Sequence, residues 1–195
     1  ASDSAEITIY DLPSVNFTSN AVCENNIMSF TDSSQLAAFP IISWNWTINN
    51  GSYQNSNQNS QNPNFIFNGC SSSNLASLEI SDSFGCRNNI SKNVTIYCNP
   101  IPDMTINSPL CHNNLIFFTD QSVGVSESII DWNWNFGVNA NPQFSSAQND
   151  STSFFLNPGI QNIQLTVRDS NNCSSTLDSS IYINNNPNAN FNWNN

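Results

Sequence analysis

The chain has 195 residues, 38% of them apolar and only 9% charged, with three Lys+Arg against 14 Asp+Glu for a net charge of −11. Three cations cannot neutralise a run of phosphates or hold anionic lipid, so nucleic-acid binding and electrostatic membrane attachment are excluded. No apolar run approaches the 18 or more residues of a membrane-spanning helix, and no secretory signal stands at the N-terminus, so any export signal is expected outside this segment.

Helical periodicity is nearly absent. The 38 Asn and 31 Ser favour turns and caps over helix interiors. Short alternating runs bounded by Asn, Gly, Ser and Pro take their place, which is the pattern of strands. In chain order the first set lies near Val15–Thr18, Ile27–Thr31, Ile42–Ile48, Asn64–Phe67, Leu75–Ser81 and Val94–Tyr97. A second set lies near Met104–Ile106, Leu115–Thr119, Ile129–Phe136, Ser153–Leu156, Ile160–Arg168 and Ile181–Ile183. Leu78/Ile80 and Leu165/Val167 mark a buried face, while Glu79 and Thr166 mark the solvent face.

The two sets are copies. Ile7–Pro13 (ITIYDLP) recurs as Val94–Pro100 (VTIYCNP) and as Ile181–Pro187 (IYINNNP), 87 residues apart each time. Inside that frame C-x6-FTDSS (Cys23 to Ser34) matches C-x6-FTDQS (Cys111 to Ser122). ISWNW (Ile42–Trp46) matches IDWNW (Ile130–Trp134), with Trp44 and Trp132 each twelve residues beyond the Asp of FTD. LEISDSFGC (Leu78–Cys86) matches LTVRDSNNC (Leu165–Cys173). Blocks in one order at near-constant spacing define a tandem repeat. The expected plan is the last strand of a preceding repeat (1–12), repeat 1 (13–100), repeat 2 (101–187) and the first strand of a following repeat (188–195). About seven short strands in 87 residues suit an immunoglobulin-like sandwich, so the expected fold is all-β, tandem immunoglobulin-like sandwiches. Trp44, Trp46, Trp132 and Trp134 are the expected core aromatics on its third strand.

The order FTDxS, IxxWxWxFG, an NP…G segment, LxVxD…C, and a terminal strand with Pro resembles the PKD (polycystic kidney disease-type) repeat. It is most similar to the Cys-containing kind found in tandem on surface adhesins of gliding Bacteroidetes. Repeat 2 carries the pattern at Phe118–Ser122, Ile129–Gly137, Asn157–Gly159, Leu165–Asp169 and Cys173. Repeat 1 departs from it, with Trp46-Thr-Ile-Asn-Asn in place of WxFG and a Gln/Asn-rich loop at Gln54–Asn62. Both repeats lack the WDFGDG acidic pair, which removes the ground for a family calcium site there.

Six Cys without a CxxC pair or a zinc spacing suggest an oxidising compartment, extracellular or on the cell surface. Cys70 and Cys98 have no counterparts in repeat 2, and both should lie at one pole of the sandwich, so they are expected to bond. The other four leave two alternatives open. Pairing within units gives Cys23–Cys86 and Cys111–Cys173. The start of the second strand and the end of the sixth should nevertheless lie at opposite poles. That favours a bond between units, from Cys23 to Cys173, with Cys86 and Cys111 awaiting further neighbours.

No catalytic residue is expected. The lone His112 sits beside Cys111 in what reads as a solvated polar turn, not as a base oriented toward a nucleophile. No catalytic or nucleotide-binding motif occurs. Asp32/Asp120 and Asp82/Asp169 recur by position, which suits capping of turn amides. No cofactor is expected. Calcium at a unit junction is compatible with the net charge, but no DxDxDG string supports it. The residues imply a non-catalytic stalk or adhesive segment of a surface protein or filament. Its partners would be neighbouring repeats, laterally associated copies, or a surface polysaccharide. Pro100 and Pro102 stiffen the link between repeats. The alternative is a carbohydrate-binding module of a secreted enzyme, with Tyr53, Phe39 and Trp193 as candidate sugar platforms.

Overall fold

The computed structural model describes residues 7–107, 109–154 and 157–191. Contacts divide the chain into two units, Ala1–Cys98 and Asn99–Asn195. The expected strands of repeats 1 and 2 fall in them in order, and no helix occurs among the described residues.

Unit 1 contains β1 (Phe17–Ser19), β2 (Val22–Cys23), β3 (Met28–Asp32), β4 (Ile41–Ile48), β5 (Gly51–Tyr53), β6 (Asn64–Phe67), β7 (Ser71–Asp82) and β8 (Arg87–Tyr97). They form two four-stranded sheets, ordered β1-β3-β6-β5 and β2-β8-β7-β4. Alternation along each strand puts one set of side chains between the sheets. Phe17, Met28, Phe30, Phe65 and Phe67 come from the first sheet, and Trp46, Leu78, Ile80, Val94 and Ile96 from the second. Phe17 and Phe30 lie 5.0 and 5.3 Å from the Trp46 ring, in the edge and tilted geometries that aromatic quadrupoles favour.

Unit 2 contains β9 (Met104–Asn107), β10 (Leu115–Asp120), β11 (Ile129–Asn135), β12 (Ala140–Asn141), β13 (Phe144–Ser145), β14 (Asp150–Phe154), β15 (Gly159–Asp169) and β16 (Ser174–Ile183). Its sheets are β12-β14-β10-β9 and β13-β11-β15-β16. Ile116, Phe118, Trp134, Phe136, Phe154, Leu165 and Val167 form its core. In both units the Trp-bearing strand carries one extra residue near its start, between Ile41 and Ser43 and between Ile129 and Asp131. This bulge leaves Ile42 and Ile130 facing solvent while the Trp residues beyond it keep their phase toward the core.

Several expectations are corrected here. Residues 7–13 and 185–191, expected to belong to strands of a preceding and a following repeat, carry no strand within this chain. Alternation supplies a strand's face but not its hydrogen-bonded neighbour, and Ile7 and Ile9 stand exposed. The last strand of each unit is also much longer than the apolar run that marked it. β8 begins at Arg87 and β16 at Ser174, in both cases through polar residues. Leu156, the expected end of one strand, lies outside the described residues.

Candidate functional site

Each unit is built around the aspartate that ends its FTD strand, Asp32 at the end of β3 and Asp120 at the end of β10, and the two sites match residue for residue in sequence. Asp32 Oδ1 accepts the Ser34 amide at 2.9 Å, which closes the turn after β3. Its Oδ2 accepts the Trp44 indole N–H at 2.7 Å and the Gln61 side-chain amide at 3.2 Å. Asn62 Oδ1 accepts the Asp32 backbone N–H at 2.8 Å. In unit 2, Asp120 Oδ1 accepts Ser122 N at 3.0 Å and its Oδ2 accepts Trp132 Nε1 at 2.8 Å and Gln148 Nε2 at 3.3 Å. Asn149 Oδ1 accepts Asp120 N at 2.8 Å. The second Trp of each strand is anchored by the same loop: Trp46 Nε1 donates to the Ser60 carbonyl and Trp134 Nε1 to the Ala147 carbonyl, both at 2.9 Å.

Burial pushes the Asp32 carboxyl up, but hydrogen bonds from Ser34, Trp44 and Gln61 outweigh it and hold the group below its ordinary value. The carboxylate is therefore occupied by donors that the fold supplies, which is the opposite of a poised acid or base. Trp46 and Trp134 are core residues, whereas Trp44 and Trp132 are half-buried and pack on the core edge while holding the aspartates. The Gln/Asn-rich loop of repeat 1, read from sequence as a departure from the pattern, is thus the counterpart of 147–149. Gln61 and Asn62 recur as Gln148 and Asn149 at a spacing of 87, and that pair was the available signal.

The second recurring pair, Asp82 and Asp169, caps turns as expected. Each is buried, and Asp82 Oδ1 accepts the amides of Phe84 and Cys86 at 2.9 Å, as Asp169 Oδ1 accepts those of Asn171 and Cys173. Both thus tie a cysteine into the hairpin that joins the last two strands of its unit.

Of the six cysteines, Cys70 and Cys98 form a disulfide with Cα atoms 4.9 Å apart. Cys23 and Cys173 are disulfide-bonded as well. Cys86 and Cys111, expected among the disulfide cysteines, are free thiols, so neither Cys23–Cys86 nor Cys111–Cys173 forms. The reason is the length of one strand. Cys23 pairs with Tyr97 at the end of β8, and Cys86 immediately precedes the start of that 11-residue strand. At about 3.3 Å per residue the two are separated by about 35 Å, against the ~7 Å a disulfide allows. Cys111 bridges to Asn184 just beyond β16, and Cys173 just precedes it, so the same holds in unit 2.

His112 is half-buried, not solvated: its amide donates to the Asn184 carbonyl at 2.9 Å, and its Nε2 is buried without a hydrogen-bond partner. Among the described residues no group of three or more His, Cys, Asp or Glu converges on a metal position. No helix among them is long and apolar enough to cross a membrane. Of the sugar-platform candidates, Tyr53 is packed edge-on against Phe65 with its hydroxyl donating to the Trp46 carbonyl. Phe39 stacks on Phe84 with centroids 3.9 Å apart, and Tyr10 closes the cluster edge-on at 4.8 Å from Phe39. Trp193 lies outside the described residues.

No protein-family model and no curated protein matches the sequence. Solved structures do match. The PKD1 domain of Vibrio anguillarum Epp shares 20% identity over 44% of this chain and 93% of its own, with a TM-score of 0.38. The PKD1 domain of the Vibrio cholerae metalloprotease PrtV shares 21% identity over 44% and 96%, with a TM-score of 0.37. The N-terminal eight immunoglobulin domains of Down syndrome cell adhesion molecule match 90% of this chain over 28% of theirs, at 13% identity and a TM-score of 0.52. The chain is an all-β tandem of immunoglobulin-like sandwiches.

Proposed function

We propose that the chain is a non-catalytic repeat segment of a large extracellular surface protein or filament, serving as a stiff stalk with adhesive faces. The observation that carries this reading is the exact recurrence of a purely structural network. The Asp–Trp–Gln–Asn anchor is built twice with the same donors, and in both copies its carboxylate is consumed in holding the sandwich together. Cystines favour an oxidising, extracellular location. The sequence resemblance to Cys-containing repeats of gliding bacteria supports reading such an array as part of a surface adhesin, whose partners would be neighbouring repeats, laterally packed copies or a surface polysaccharide. Pro100 and Pro102 restrict the backbone between units and favour a fixed joint. Small-angle scattering of the chain tests the stalk: a single narrow distribution of end-to-end lengths is expected, and freely jointed units would overturn it.

The second reading, a carbohydrate-binding module, has one observation in its favour, the exposed ring of Phe84 beside Phe39 and Tyr10. Saturable binding of soluble polysaccharide that is lost in Phe84→Ala would replace the stalk reading with this one. Silence across a glycan array would remove it.

A further inference from the structure

The free thiols Cys86 and Cys111 stand at opposite poles of the repeat, and each has a twin in the other unit that is oxidised. Cys86 matches Cys173: both close a five-residue Asp-to-Cys hairpin in which the aspartate accepts the cysteine amide at 2.9 Å. Cys111 matches Cys23. Both pair in parallel with the end of their unit's last strand, at Asn184 and Tyr97, and both lead into a turn with an Asn at positive φ. Local geometry that takes a disulfide in one copy is left reduced in the other. What differs is the partner, and a partner inside the same unit is excluded by the strand length that separates its poles.

Both poles also present apolar surface. At the Cys86 pole, Phe84 is 68% exposed and stacks on Phe39 with Tyr10 beside it. At the Cys111 pole, Ile160 and Tyr182 lie directly opposite each other across β15 and β16 and are 72% and 59% exposed. Side chains so paired share one face of the sheet. Each thiol therefore sits beside apolar side chains that are exposed in this chain.

We infer that these are complementary docking ends, and that Cys86 of one copy of this chain bonds Cys111 of a second copy, joining repeats head to tail. The bond forms by thiol–disulfide exchange with a disulfide oxidant such as oxidised glutathione. The Cys86 thiolate attacks one sulfur of the oxidant, giving a mixed disulfide and releasing one thiol. The Cys111 thiolate of the second copy then attacks the Cys86 sulfur, and the second thiol leaves. The two cysteines lose two protons and two electrons, and the oxidant is reduced to two thiols.

This inference rests on the repeat organisation and not on the adhesive role. The chain is incubated in a glutathione redox buffer and run without reductant. A ladder of covalent oligomers is expected, with Cys86–Cys111 as the linked peptide by mass spectrometry. Cys86→Ser and Cys111→Ser each remain monomeric alone, and their mixture stops at a covalent dimer because each contributes one end. Dimers of either variant alone, an intramolecular Cys86–Cys111 bond, or a mixture that stays monomeric would overturn the inference. Alkylating the two thiols of the unmodified chain gives the same loss of ladder without any substitution. Scattering from the monomer reads the stalk separately, so either idea can fail without the other.

Discussion

The Asp32–Trp44 contact can be isolated from everything around it by a double-mutant cycle. Trp44→Phe keeps an aromatic ring but removes the indole N–H together with part of the ring surface, which leaves a charged acceptor with one donor fewer, and the cycle separates that bond from the lost packing. Asp32→Ala removes three contacts at once: the 2.7 Å indole bond, the 2.9 Å Ser34 turn bond and the 3.2 Å Gln61 bond. Hydrogen bonds to charged groups contribute about 1.5–3 kcal/mol each when partly buried, and exposed ones much less. Asp32→Ala is therefore expected to cost unit 1 about 2–4 kcal/mol, Trp44→Phe about 1.5 kcal/mol, and the double variant about 1.5 kcal/mol less than the sum. Urea unfolding followed by tryptophan fluorescence reads this as shifts in midpoint at constant slope, with the unit 2 transition as an internal control. A coupling below about 0.5 kcal/mol would refute the claim that the recurring Asp–Trp spacing encodes a bond. The sign with pH is fixed as well. Because the folded Asp32 carboxyl is held below its ordinary value, its contribution is present above the unfolded carboxylate range and is lost as pH falls through the folded value. Asp32→Ala should flatten that acid limb, and an unchanged limb would count against the assignment.

Other perturbations follow from the same geometry. Replacing Cys70 and Cys98 together by Ser opens a loop of sequence separation 28 and should lower the stability of unit 1 by about 3.5 kcal/mol on the loop-entropy scale, read by calorimetry with unit 2 unaffected. Gly51→Ala would bring a Cβ to 2.0 Å from the Ile66 carbonyl oxygen and 2.8 Å from the Phe67 Cα. Backbone cannot yield there cheaply, so a loss of more than about 2 kcal/mol is expected in the same urea assay. Burial raises the Tyr53 phenol, so the neutral form is favoured in the folded state. Its contribution is full below the ordinary phenol range and disappears as pH rises through the folded value, and Tyr53→Phe should abolish that alkaline dependence.

Strands whose inward residues are apolar were legible in the sequence, because period-two alternation and burial are one fact seen twice. Leu78 and Ile80, or Leu165 and Val167, fix both the element and its face. The first halves of β8 and β16 were not legible. Along Arg87–Asn93 the burial alternates only between exposed and half-buried and Ile90 is the one apolar residue, so no apolar alternation marks the strand, and its pairing with β7 defines it. Two-residue β2, β12 and β13 carry no periodicity at all. At Ile7–Tyr10 a clean alternation meets no partner strand within this chain, since alternation alone does not supply one. At the anchor, the twelve-residue Asp-to-Trp spacing was visible in both repeats, but composition made the Gln54–Asn62 loop read as a departure of repeat 1 from the pattern. Gln61 and Asn62 act through single directed hydrogen bonds, and a directed bond leaves no trace in composition.

The abundance of Asn itself has a backbone cause that can be tested. Among the described residues every non-glycine position at positive φ is an Asn: Asn25, Asn50, Asn55, Asn113 and Asn172. At one turn the repeats exchange the two residue types, since Gly85 at φ 85° in unit 1 becomes Asn172 at φ 65° in unit 2. Asn tolerates the left-handed region because its short amide can bond locally, whereas a Cβ-bearing apolar residue costs about 1–2 kcal/mol there. Asn25 and Asn113 are the cleanest probes, being exposed and lying at matching turns after Cys23 and Cys111. Asn113→Ala should destabilise unit 2 by about 1–2 kcal/mol, while Asn113→Gly should stay within about 0.5 kcal/mol of the parent, and Asn25 should repeat the result in unit 1. If Gly cost as much as Ala, the side chain and not the backbone angle would be what selects Asn. If neither cost anything, the composition would owe nothing to the turns. A chain with only six glycines needs another residue for its left-handed turns. Asn meets that need at these five turns while keeping a polar group in water on a surface that carries almost no cations.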